Sequence, residues 1–158
     1  MGEDIRNVFI SHIHEDDEGL KKLKDLASKH GMTWRDASIT ADRPNAAKNP
    51  DYIKQGILAP GIRWAGVLVV YVSPDTKHSD WVNWEIEYAH KLEKRIVGVW
   101  EWGAKECELP EALDRYADAV VGWNGESIID AINGNSDEWY KPDGAPQSYR
   151  HIPRFSCR

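Results

Sequence analysis

Residues 65–72 read AGVLVVYV, and this stretch says most about the fold. It is β-branched and apolar at odd and even positions alike, so both faces of an extended segment need cover. That pattern belongs to a central strand of a parallel sheet with helices on each side. A loop, Ser73 to His78, leads into residues 79–92 (SDWVNWEIEYAHKL), which read as one amphipathic helix. Ser79 suits the N-cap, and Asp80 places negative charge where the helix dipole favours it. Trp81, Glu85, Tyr88 and Leu92 recur at helical spacing, and Val82, Ile86 and Ala89 form a second stripe beside them. A helix apolar over that much of its circumference is mostly buried. Glu85 therefore falls on or beside the buried side, one turn in, with Trp81 and Trp84 close by. A carboxylate is costly there unless it is paired or open to a pocket, which makes Glu85 the first candidate for chemistry.

Outward from this pair, strands and helices alternate. Asn7–Ser11 (NVFIS) is a short buried-type strand, followed by an acidic loop in which Asp16 or Asp17 can cap a helix running to His30. Leu20, Leu23, Leu26 and Ala27 give that helix its inner face, and Gly31 is its stop. Thr33–Asp36 suggests a second strand, residues 37–50 a long loop, and Asp51–Ala59 a short helix ending near Pro60-Gly61. Arg95–Trp100 (RIVGVW) is another buried strand, Glu111–Tyr116 a helical turn, Ala119–Val121 a last strand and Glu126–Asn133 a last helix before Gly134. The alternation predicts a doubly wound, three-layer α/β fold around a mainly parallel five-stranded sheet. We place the domain at 1–134 and read 135–158, Pro- and Ser-rich without periodicity, as an extended tail packed on the domain or on a partner. Ligands in such sheets bind beyond the carboxyl ends of the strands, and the loops after NVFIS, at 37–50 and before Glu85 converge there.

Composition narrows the classes. The chain has 158 residues and a net charge of −6, with no basic stripe to mark a nucleic-acid surface. No apolar run reaches membrane-spanning length, and the charged start MGEDIRNVFI is unlike a secretory signal. Arg6 stands where a myristoylation signal needs Ser or Thr. Cys107 and Cys157 lie far apart without paired-ligand spacing, so no metal site or disulfide framework is expected and a cytoplasmic, reducing setting is the simple reading. No P-loop or dinucleotide glycine fingerprint is present, which argues against ordinary redox use of NAD.

Other candidates carry bland rivals. His12 and His14 follow a strand end, where a histidine can contact a diphosphate or act as a base, although solvated loop histidines are commoner. Ser11 can hydrogen-bond a ligand or simply turn the chain. Asp36, Asp42 and Arg43 sit in or beside the long loop, where Arg43 can meet a phosphate or be plain surface. Cys107 lacks a nearby histidine in sequence, and His30 and His90 suit helix C-terminal halves by the dipole alone. Glu85 itself can be an acid tolerated early in a helix. Glu87, two residues on, should face elsewhere and serves as its control.

The V-F-I-S strand with its acidic loop, and the S-x-W-V-x-x-E helix start after V-L-V-V-Y, together resemble the TIR domain. More narrowly, they are similar to the bacterial TIR-like proteins of antiphage defence, of the Thoeris TIR-subunit type, over about residues 5–133. Gly31–Ile39 (GMTWRDASI) keeps the usual second TIR box only loosely, and residues 41–49 do not match the interaction loop of signalling adaptors. The resemblance implies a flavodoxin-like fold and cleavage of NAD at its nicotinamide–ribose bond, with cyclisation of the ADP-ribose product in some members. It implies Glu85 as catalytic residue, the glutamate of W-x-x-x-E. It also implies Phe9, Ser11 and His12 on the nicotinamide side, and Ser79 and Trp81 at the helix start. NAD is then substrate and no separate cofactor is expected. The partners expected are an effector reached through a diffusible nucleotide and, on activation, further copies of the chain, with no nucleic acid or membrane. A TIR-fold interaction module without turnover is the main alternative. A nucleoside deoxyribosyltransferase-like enzyme, with a glutamate at a sugar carbon, is the other.

Overall fold

A computed structural model of the chain describes residues 4–13, 17–36, 58–101, 103, 109–135 and 139. Five strands, β1 (Asp4–Ser11), β2 (Met32–Asp36), β3 (Val67–Val72), β4 (Arg95–Trp100) and β5 (Ala119–Val121), form one sheet in the order β2-β1-β3-β4-β5. Every strand pair in it is parallel. Helices α1 (Asp17–Lys29), α2 (Ala59–Trp64), α3 (Asp80–Lys91), α4 (Glu111–Tyr116) and α5 (Gly125–Ile132) cover its two faces. The architecture is the three-layer, flavodoxin-like α/β fold expected from the alternation.

The period-two alternation of each strand decides what meets which layer. On one face Val8, Ile10, Val67, Val69, Val97 and Val99 pack with Leu20, Leu23 and Ala27 of α1 and Ile128 and Ala131 of α5. On the other, Phe9, Leu68, Val70, Val72, Ile96 and Trp100 pack with Ile62 of α2, Val82, Ile86 and Ala89 of α3, and Leu113 of α4. β3 is buried at all six positions, which is why its sequence shows no alternation.

Two expectations need correction. The described helix before β3 runs through Pro60 and Gly61 instead of ending at them. Leu58 before them already has helical backbone, and the fixed φ of proline is itself helical, so the pair does not stop the helix. Residues 51–57 lie outside the described residues. The helix α3 does not bury its circumference evenly: Val82, Glu85, Ile86 and Ala89 are buried, whereas Trp81 is 37% exposed. Burial follows the second stripe, and Glu85 borders it. No helix among the described residues is long and apolar enough to cross a membrane.

The last described residue, Trp139, is buried at 4% exposure and bridges to Val120 in the parallel sense, beside the outermost strand β5. The remainder of the segment read as the tail lies outside the described residues, apart from Asn135.

Candidate functional site

The strand order reverses at the boundary of β1 and β3, because the chain moves outward to β2 on one side and to β4 and β5 on the other. Such a switch point leaves a crevice beyond the carboxyl ends of the two strands. Three local devices build it.

The first is β1 itself. Its alternation turns Phe9 and Ser11 toward α3, while Val8 and Ile10 face α1. Ser11, the last residue of the strand, is fully buried. The second is the turn between β3 and α3. Thr76, fully buried, accepts the Ser73 amide at 2.9 Å through its Oγ1, which also lies 3.1 Å from Ser73 Oγ. A short 3-10 turn at Thr76–His78 then delivers the chain to Ser79. The third is the start of α3. Ser79 Oγ accepts the Val82 amide at 3.1 Å, the capping bond its position predicts. Asn83 adds a clamp: its Nδ2 donates to Ser79 O at 3.1 Å, and its Oδ1 accepts the Ala112 amide of α4 at 2.9 Å.

These devices put the Ser11 hydroxyl 2.5 Å from Oε1 of Glu85, donating to it, at the short end of the range for hydroxyl–carboxyl bonds. Glu85 is 6% exposed. Burial pushes its carboxyl up from 4.5 to about 8; the Ser11 hydroxyl pulls it back, and the Asp36 carboxylate pushes it up further. At neutral pH the side chain therefore carries a proton in the unliganded protein. A cation placed against it would draw that proton off, and the ionised oxygen would then face whatever the crevice holds.

The other sequence candidates divide. Phe9 is 1% exposed and belongs to the core two residues before Ser11. His12 follows the strand with Nδ1 at 2.8 Å from Ile10 O, half-buried at the crevice end of β1. The Ser79 hydroxyl is engaged in capping, and Trp81 lies on the outer side of the helix. One turn on, Trp84 and Tyr88 stack with ring centroids 5.1 Å apart, and Arg63 of α2 donates to the Tyr88 hydroxyl at 2.7 Å. Glu87 is exposed, as its position predicts. His14, Asp42, Arg43 and Cys107 lie outside the described residues.

Sequence reasoning ended the second strand at Asp36 and named it beside the long loop, but gave it no role. It ends β2, its side chain is 5% exposed, and its Oδ1 accepts the Ile10 amide at 3.2 Å. Its place as the last residue of a strand pointing at the crevice was the available signal. No curated protein matches the chain. A family description does, that of the Thoeris protein ThsB, TIR-like domain, over residues 9–106. That stretch is well over half of the chain and contains β1 from Phe9, Asp36, all of β3 and α3, and Glu85. The parallel sheet, its strand order and the W-x-x-x-E helix that opens beside the switch point agree with that match: the chain belongs to the family of Thoeris ThsB TIR-like domains.

Proposed function

We propose that this Thoeris-type TIR-fold protein cleaves NAD at its nicotinamide–ribose bond, with Glu85 as the catalytic carboxylate. The observation that carries the reading is the buried Ser11–Glu85 pair at the switch-point crevice, an acid kept where packing alone would exclude it. The chemistry needs little else. Nicotinamide leaves as a neutral base, so no acid has to protonate it, and positive charge develops at the ribose carbon. A carboxylate beside that carbon stabilises the charge and can hold the ribose hydroxyls, by the electrostatic logic of glycosidases. The substrate supplies its own trigger for ionisation, since its pyridinium charge favours release of the Glu85 proton. Ser11 then donates to the ionised oxygen and fixes its direction. NAD is substrate here, and no cofactor is invoked.

In this reading the ADP-ribosyl cation left by nicotinamide is captured by water, which releases a proton and gives ADP-ribose, or by a nucleophile of its own, which gives a cyclic form. The product is a diffusible signal to an effector protein in the cytoplasm, and activation involves association of copies of the chain. A second reading, an interaction module without turnover, draws on Trp64 and Trp81, which are 45% and 37% exposed. The two separate in cells challenged with phage. Under the first, a new ADP-ribose derivative or a fall in NAD accompanies protection, and both disappear in Glu85→Gln but persist in Glu87→Gln. Protection by Glu85→Gln equal to that of the parent, with nucleotides unchanged, would leave the interaction module.

A further inference from the structure

The edge that carries Ser11 and Glu85 holds a second buried carboxylate. Backbone pairing of β2 with β1 ends at Val8↔Asp36, and the Asp36 side chain continues it by taking the Ile10 amide, one residue before Ser11. Its other oxygen, Oδ2, stands 3.5 Å from Lys24 Nζ on α1, in the layer opposite α3. One carboxylate thus joins α1 to the end of β1 and, through Ser11, to Glu85.

We propose that Asp36, with Lys24 as its counter-ion, is a positioning residue of the Glu85 site: it fixes the end of β1 under Ser11 and supplies the charge by which the crevice selects a cationic ring over a neutral one. The inference rests on the NAD reading, in which the ring is the nicotinamide pyridinium. Buried and acted on by the Asp36 charge, Glu85 favours its protonated form until a further cation stands against it. An arriving pyridinium provides that cation and leaves Glu85 ionised against the ribose; a neutral ring provides nothing and meets a protonated acid. After burial and the Ser11 hydrogen bond, the Asp36 charge also acts on Glu85 and pushes its carboxyl up. Among the described residues, the elements packed with α3 otherwise contribute apolar groups to that layer, Phe9 of β1, Val70 and Val72 of β3, Ile62 of α2 and Leu113 of α4. Ionisable groups on those elements point to other partners or solvent: Arg63 binds the Tyr88 hydroxyl, Arg115 pairs with Glu111, Arg95 donates to Ala131 O, and His12 is held on Ile10 O. On α3 itself, Asp80, Glu87, His90 and Lys91 are exposed.

The test uses the full chain with carbon-13-labelled glutamate carboxyls, the Glu85 signal being identified by its loss in Glu85→Gln. Asp36→Asn is expected to lower the titration midpoint of Glu85, and Lys24→Met to raise it. Lys24 is part-exposed, so its variant keeps the test open should Asp36→Asn fail to fold. Equal midpoints in the folded variants and the parent overturn the inference. The binding arm compares 1-methylnicotinamide, a cation, with neutral nicotinamide. The parent is expected to prefer the cation by about tenfold or more, and Asp36→Asn to lose most of that preference. Equal binding of the two rings by the parent, or binding of neither, overturns the selection. A protein that shows both effects and never cleaves NAD would sink the proposed function and leave this inference standing.

Discussion

Glu85 answers to two demands that pull apart. Its surroundings favour the protonated acid, while the proposed charge stabilisation at a ribose carbon requires the carboxylate. The protein holds the side chain at about 8, where a single cation can tip it. The same balance sets a pH dependence of stability. The folded state keeps a proton on Glu85 that the unfolded chain, near 4.5, gives up, so stability is full at low pH and falls as pH rises toward about 8. Urea titrations at pH 5 and pH 9 are expected to show this loss, on the order of a few kcal/mol, in the parent and a much smaller one in Glu85→Gln. Ser11→Ala removes the donor that favours the ionised form, so the Glu85 carboxyl moves further up. The rising limb of the rate–pH profile is then expected at higher pH, with turnover at pH 7 lowered about tenfold. A profile that keeps its position would remove Ser11 from the account.

The elements were legible in the sequence to differing degrees, and the differences have physical causes. Arg95–Trp100, Glu111–Tyr116 and Ala119–Val121 occur with the bounds expected, because buried parallel strands and a proline-led helix leave clear marks. Gly31 and Gly134 end α1 and α5 with φ of +87° and +80°, the left-handed stop expected of glycine. Helix α3 ends the same way on a non-glycine residue, Glu93, at φ +58°. Glu93→Gly is expected to raise stability by roughly 1 kcal/mol, read as a higher midpoint of thermal unfolding. Ser79→Ala should lower it by about 1 kcal/mol through the lost cap. The helix before β3 ends at Trp64, beyond the expected Pro60-Gly61, because Pro-Gly marks turns more often than helix interiors. The Ser11–Glu85 contact was beyond periodicity altogether. Alternation shows that Phe9 and Ser11 share a face, but which layer meets that face is set by chain crossovers, and the two residues stand 74 apart. The role of Asp36 was out of reach for a related reason: its partners come from a neighbouring strand and an opposing helix.

At the scale of the molecule, the site is a consequence of topology. An all-parallel sheet in the order β2-β1-β3-β4-β5 must open at the β1/β3 boundary, and the helix that follows β3 must begin beside the opening. The far edge of the sheet is held differently. Trp139 belongs to the same buried layer as Leu109, Ala112, Leu113 and Val120 and bridges to Val120 of β5, so a residue well past α5 adds to a core layer. Trp139→Ala is expected to cost roughly 3–5 kcal/mol in urea unfolding without moving the titration of Glu85. The central claim is narrower than the fold and can be put to one assay, nicotinamide release from NAD by the purified protein in lysate of phage-infected cells. Release by the parent and by Glu87→Gln at similar rates, with a loss on the order of 10³-fold in Glu85→Gln, is the predicted result. Release by a folded Glu85→Gln at the parental rate would contradict it.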